Sequence, residues 1–221
     1  MMTDSEIIEE TIAFVKETLH GAEGGHDWFH IQRVFNNTIR IAREEKVDIL
    51  TVSLGALLHD IADAKFHHGD ETIGPEMATS FLTSLAVDKA IIDHVVKIIQ
   101  HISFKNSLEH SSQNMFHSKE LQVVQDADRL DAIGAIGIAR AFNYGGYKNR
   151  GLYNPEIPPR LNLSKEEYKT SSSPTINHFY EKLLLLKDKM NTVTGKKLAE
   201  ERHQFLLDYL AQFYAEWNGE K

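Results

Sequence analysis

Residues 56–63 read ALLHDIAD, and this stretch decides how the chain is read. Leu57, Leu58 and Ile61 belong on the apolar side of a helix, yet His59 and Asp60 stand among them. Burying a charge without a partner is costly, so such residues either face water or meet one another. Two other stretches repeat the pattern: HDWFHIQRV, with His26, Asp27, His30 and Arg33, and VVQDADRLDAIG, with Asp126, Asp128, Arg129 and Asp131. On a helix, adjacent residues point about 100° apart, so His59 and Asp60 cannot share one stripe, but they can approach a single ion from two directions. Asp63, three beyond Asp60 and four beyond His59, lies over the same face and is placed to reach a water on that ion.

Outward from that stretch the apolar spacing is three and four, which predicts an all-α fold. A first helix is expected over about Asp4 to His20, a second from His26 or Asp27 to about Lys46, and a third from about Leu50 to near Lys65. Met77 to Leu85 and Asp88 to Ser103 read as two more. SKELQVVQDADRLDAIGAIGIARAF, residues 118–142, is expected to be one long helix, with Gly134 and Gly137 allowing close packing. Residues 144–174 carry four Pro and no sustained period, a length of loop that suits a substrate-facing lid or an oligomer contact. Helices over about Pro174 to Met190 and Thr194 to Trp217 close the chain, where Phe205, Tyr209, Phe213 and Tyr214 have core spacing.

At 221 residues the chain suits one domain with a substantial core. It has no cysteine, so disulfides and thiolate metal sites are excluded, and any metal must be held by His, Asp and Glu. Such a nitrogen and oxygen set suits Mn²⁺, Fe²⁺, Co²⁺, Ni²⁺ or Zn²⁺ better than Ca²⁺. The N-terminal MMTDSEIIEETIAF is acidic, without a signal peptide's basic start, and no apolar run approaches a membrane span, so a soluble cytoplasmic chain is expected. Twenty-four Lys and Arg against 32 Asp and Glu give a net charge of −8, which opposes binding to nucleic acid or an anionic membrane. An anionic substrate then needs local positive charge, and Arg33, Lys65, Lys105 and Arg129 each adjoin a motif.

The order His30, His59-Asp60, Asp128, with the flanks HDWFHIQRV, GALLHDIAD, ISFK and DADRLDAIGAIGIARAF, resembles the HD superfamily of metal-dependent phosphohydrolases, in its bacterial stand-alone YpgQ/YedJ-like type. The resemblance covers roughly residues 20–215. It implies a single all-α HD domain over residues 1–221, with an HD core at about 20–143, the loop 144–173 and C-terminal helices at about 174–218. It implies one divalent metal held by His30, His59, Asp60 and Asp128, with Mn²⁺ first and Fe²⁺, Co²⁺, Ni²⁺, Zn²⁺ or Mg²⁺ as alternatives. It further implies hydrolysis of a phosphorylated small molecule, a nucleoside triphosphate cleaved to monophosphate and pyrophosphate. Asp63 is then the candidate to orient the attacking water or take its proton, and the four basic residues would contact phosphate. Other readings are a 5′-nucleotidase or cyclic-nucleotide phosphodiesterase and, in another class, a non-catalytic metal- or nucleotide-sensing module. A homodimer is compatible with all of them. His67 and His68 read as a solvated pair, His94 and His101 as cleft or surface residues, and Asp131 as a group that caps or holds a ligand in place.

Overall fold

The computed structural model describes residues 2–22, 27–62, 70, 72–102, 116–161 and 173–221, and every regular element among them is helical, as the apolar spacing predicts. The elements are α1 (Asp4–Thr18), α2 (Trp28–Ala42), α3 (Ile49–Leu58), α4 (Ile73–Ser84), α5 (Lys89–His101), α6 (Lys119–Asp131), α7 (Gly134–Tyr147), α8 (Thr175–Glu181) and α9 (Val193–Trp217). Two 3₁₀ turns, Leu183–Leu185 and Lys187–Lys189, separate the last two helices. The chain divides into two compact units, Met1–Asp128 and Arg129–Lys221. Among the described residues no helix is long and apolar enough to cross a membrane.

In the first unit, short polar side chains set where helices begin. Thr3 and Glu6 form a reciprocal capping box at α1, and Asp27, Asp48 and Asp88 accept backbone N–H groups at the starts of α2, α3 and α5. The helix they surround is α3, whose residues from Leu50 to Leu58 are all buried, with α1, α2 and α5 packed on it. Gly55 lets α5 approach, because a Cβ there would stand 3.2 Å from the Ile98 side chain. Leu54, Leu57 and Leu58 are fully enclosed, each contributing roughly 2 kcal/mol through burial.

Three helices end earlier than the periodicity predicts. The third stops at Leu58 rather than near Lys65: His59 is its C-cap, and residues 59–62 form turns. The His59 ring explains the stop, since Nδ1 donates to the Ala56 carbonyl, 2.8 Å away, at a helix end where carbonyls lack intrahelical partners. The long helix over 118–142 is in fact α6 and α7, broken at Ala132–Ile133. Gly134 adopts φ +75°, a left-handed conformation costly for a residue with a Cβ, and Ile133 is extended. A Cβ on Gly137 would collide with the Ala132 carbonyl, so Gly137 serves the break, whereas Gly134 also lets α9 approach, since a Cβ there would stand 3.1 Å from the Arg202 side chain. The expected helix over 174–190 is only α8 followed by the two 3₁₀ turns.

The second unit is knitted by aromatic rings. Phe179 of α8 stacks on Tyr209 of α9, with Phe142 of α7 against both, and Tyr153 meets Phe213, Tyr214 and Trp217 edge-on. The C-terminal aromatics thus pack on one another, although Phe205 is half exposed. Within the irregular segment, Gly151 and Leu152 carbonyls accept the N–H groups of Thr175 and Ile176, supplying partners for the first turn of α8.

Candidate metal centre

Two helix ends and one helix body, all in the first unit, supply the candidate ligands. Asp27 Oδ1 accepts the His30 N–H at 2.9 Å, fixing the first turn of α2 so that His30 enters the core, where it is 2% exposed. His59 enters from the C-terminal end of α3. Because its Nδ1 donates to Ala56, Nε2 carries the lone pair of the neutral ring, which is the tautomer a metal ligand needs. The two imidazoles meet edge to face, with centroids 5.4 Å apart.

Asp128 lies on α6. That helix is tied to its neighbours by Asn37 Nδ2 on the Ala127 carbonyl, Gln125 Nε2 on the His101 carbonyl, and the Asp48 N–H on Glu120. Asp128 Oδ1 stands 3.6 Å from His30 Nε2 and 3.9 Å from His59 Nε2. Ligand atoms of His30, His59 and Asp60 form a group within 4.8 Å of one another. The residues at the ends of α2 and α3 and in the middle of α6 are therefore brought together, with Asp128 joining through the two imidazoles.

These separations fit a cation. At 3.6 and 3.9 Å the His and Asp atoms are too far apart to be hydrogen-bonded. Two atoms each about 2.1 Å from a shared ion lie roughly 3 Å apart at right angles and about 4.2 Å apart when opposite, which brackets the observed spacing. Neutral imidazole and carboxylate donors, without sulfur, match the borderline and hard divalent ions.

The other candidates distribute differently. Arg33 lies one turn beyond His30 on α2 and is half-buried. Arg129 is 8% exposed and donates through Nη1 to the Lys189 carbonyl within the second unit. Asp131 is also buried, and Arg140 Nη1 holds its carboxylate at 2.6 Å across the α6–α7 break. Asp63, Lys65 and Lys105, together with His26, His67 and His68, lie outside the described residues. Gln125 escaped the sequence reading; its position three residues before Asp128, one turn along α6, was the available signal. His94 and His101 flank Phe116, their rings 5.5 and 5.8 Å from its centroid, and His94 Nε2 bonds Ser118 Oγ at 2.9 Å.

Helical architecture and ligand order together define a class. The chain belongs to the HD domain family, whose sequence model matches residues 28–133, and stands among the HD-superfamily hydrolases. It is 37% identical over 213 residues to the YpgQ protein of Bacillus subtilis (strain 168), covering 96% of this chain and 94% of that one. The crystal structure of an HD-superfamily hydrolase from Bacillus thuringiensis is similar with a TM-score of 0.78 and 42% identity, over 98% of this chain and 99% of the other. That of Bacillus subtilis YpgQ in complex with ADP gives 0.75 and 36%, over 97% of each.

Proposed function

We propose that the chain is a metal-dependent phosphohydrolase acting on a nucleotide, converting a nucleoside triphosphate to monophosphate and pyrophosphate. The observation that carries the reading is the convergence of two imidazole Nε2 atoms on one carboxylate, 3.6 and 3.9 Å from Asp128 Oδ1, with Asp60 beside them. The crystallisation of YpgQ with ADP supports a nucleotide as the ligand class. His30, His59, Asp60 and Asp128 would hold one divalent ion, Mn²⁺ before Fe²⁺, Co²⁺, Ni²⁺, Zn²⁺ or Mg²⁺. When bound, such an ion supplies Lewis acidity, lowering the pKa of water and polarising a phosphoryl oxygen.

The chain's own residues do the rest. Asp27, through the His30 N–H, and Ala56, through His59 Nδ1, hold the two imidazoles in place. Arg33 presents a guanidinium one turn from His30, suited to paired contacts with phosphate oxygens. Asp63 is assigned to orienting the attacking water or accepting its proton, and Lys65 and Lys105 to neutralising phosphate. Arg129 is the weakest phosphate candidate, because its guanidinium is engaged by the Lys189 carbonyl.

The test is a metal-reconstituted screen over nucleoside tri-, di- and monophosphates and cyclic nucleotides, separating orthophosphate from pyrophosphate among the products. Pyrophosphate from a triphosphate is expected. Orthophosphate from monophosphates would assign a 5′-nucleotidase, and ring opening a cyclic-nucleotide phosphodiesterase. No release from any substrate would assign the sensing role.

A further inference from the structure

We propose that Arg202, on α9, is a positioning residue for Asp128, holding the last turn of α6 so that the carboxylate meets the two imidazoles; this rests on the metal-site reading above. Asp128 lies in that last turn, and the turn is poorly held by its own backbone. A continuing helix would pair the Arg129 and Leu130 carbonyls with N–H groups four residues on. Here the chain leaves the helix, and the Ala132 and Ile133 N–H groups reach back only three residues, to Arg129 and Leu130, at 3.1 and 3.3 Å. Carbonyls at such an end need other donors.

The donors are guanidinium groups. Arg202 Nη1 donates to the Leu130 carbonyl, two residues after Asp128. Arg140 Nη1 takes the Asp131 carbonyl, at 3.3 Å, together with the Asp131 carboxylate. Positive charge at a helix C-terminus also complements its dipole. Arg140 answers a buried charge on its own turn, whereas Arg202 bonds the backbone and comes from 72 residues further along the chain. Its approach is built into the junction: Gly134 is left-handed, and a Cβ there would stand 3.1, 3.2 and 3.4 Å from the Arg202 Cγ, Cβ and Cδ. The stem of Arg202 thus lies against the turn that ends α6 while its head takes the carbonyl. On the upstream side Asn37 holds the Ala127 carbonyl, so Asp128 sits between two anchored carbonyls. The imidazoles of His30 and His59 are fixed independently at the ends of α2 and α3. Releasing Leu130 lets the last turn unwind and moves the carboxylate relative to rings that stay in place.

Mn²⁺ titration of the full chain tests this without requiring turnover. Arg202→Met keeps the stem against Gly134 and removes the donor; it is expected to bind Mn²⁺ about tenfold more weakly, the usual scale for a group that orients a ligand. Arg202→Lys, which restores a cationic donor, should recover part of the loss. Tyr153→Ala, which removes ring packing elsewhere in the second unit, should lower the unfolding midpoint and keep the wild-type Mn²⁺ affinity. Wild-type affinity in a folded Arg202→Met overturns the positioning role, and so does an equal loss in Tyr153→Ala, which would trace the effect to general loosening of the unit. Should Arg202→Met fail to fold, hydrogen exchange of the wild-type chain decides: the Ala132 and Ile133 amides are expected to exchange more slowly with Mn²⁺ bound, and no change overturns the coupling. A chain whose Mn²⁺ affinity falls in Arg202→Met but which hydrolyses no nucleotide overturns the phosphohydrolase reading alone. A wild type that hydrolyses nucleotides, with Mn²⁺ affinity unmoved by Arg202→Met, overturns the positioning role alone.

Discussion

His59 has two tasks on one ring. Nδ1 ends α3 by taking the Ala56 carbonyl, while Nε2 faces His30 and Asp128. Its replacement by alanine removes a proposed ligand but only the final turn of a helix otherwise held by buried leucines. His59→Ala is therefore expected to bind no Mn²⁺ at concentrations that saturate the wild type and to lose hydrolysis, with its far-UV circular dichroism nearly unchanged. Full activity in metal-replete buffer would remove His59 from the site. Asp27 acts one step further out, since its carboxylate caps α2 and orients the turn that carries His30. Asp27→Ala should cost about 1 kcal/mol of stability and weaken Mn²⁺ binding without abolishing it, as read by chemical denaturation and metal titration. The sequence put His30, His59, Asp60 and Asp128 in view because charged residues inside apolar runs need a partner. It could not show that His59 terminates its helix, because a ring-to-carbonyl bond leaves no periodic trace.

The same distinction governs the elements. Starts of helices were legible within a few residues, since Asp27 and Asp48 stand just ahead of apolar runs and their carboxylates take the N–H groups there. Breaks inside runs were not. Leu130, Ile133 and Ile138 are buried on both sides of the α6–α7 junction, so hydrophobic spacing continues through a point where the backbone turns. What marks the junction is chemistry at short range: the left-handed Gly134, the carbonyl of Ala132 beneath Gly137, and the ion pair of Asp131 with Arg140. Arg140→Ala strips the buried Asp131 carboxylate, 1% exposed, of that ion pair, and a loss of about 3 kcal/mol is expected on thermal or denaturant unfolding. Gly137→Ala should be destabilising by at least about 1 kcal/mol, because the added methyl meets backbone rather than a movable side chain. Wild-type stability in Gly137→Ala would show that the two helices can separate at the junction without cost.

At the scale of the whole molecule, part of the acid response comes from a histidine held neutral, apart from the net charge of −8. His178 on α8 is the clearest case: burial, then the nearby charges of Lys182 and Arg150, lower its pKa from 6.5 to about 3. The folded value lies below the unfolded one, so His178 supports folding fully above about pH 6.5. As pH falls from 6.5 toward 3 the unfolded chain takes up a proton that the native state refuses, and that support is progressively lost, by about 1 kcal/mol per pH unit. Carboxylates elsewhere also respond to acid, so the informative quantity is the difference between the wild type and a variant with no titrating ring. His178→Asn is expected to be less stable than wild type at pH 7, where packing is lost, and to close most of that gap by pH 4.5. Hydrogen exchange of the α8 amides reads the effect where it arises, in the second unit. If wild type and variant lose protection in parallel between pH 7 and 4.5, the His178 ring is not held neutral by its surroundings.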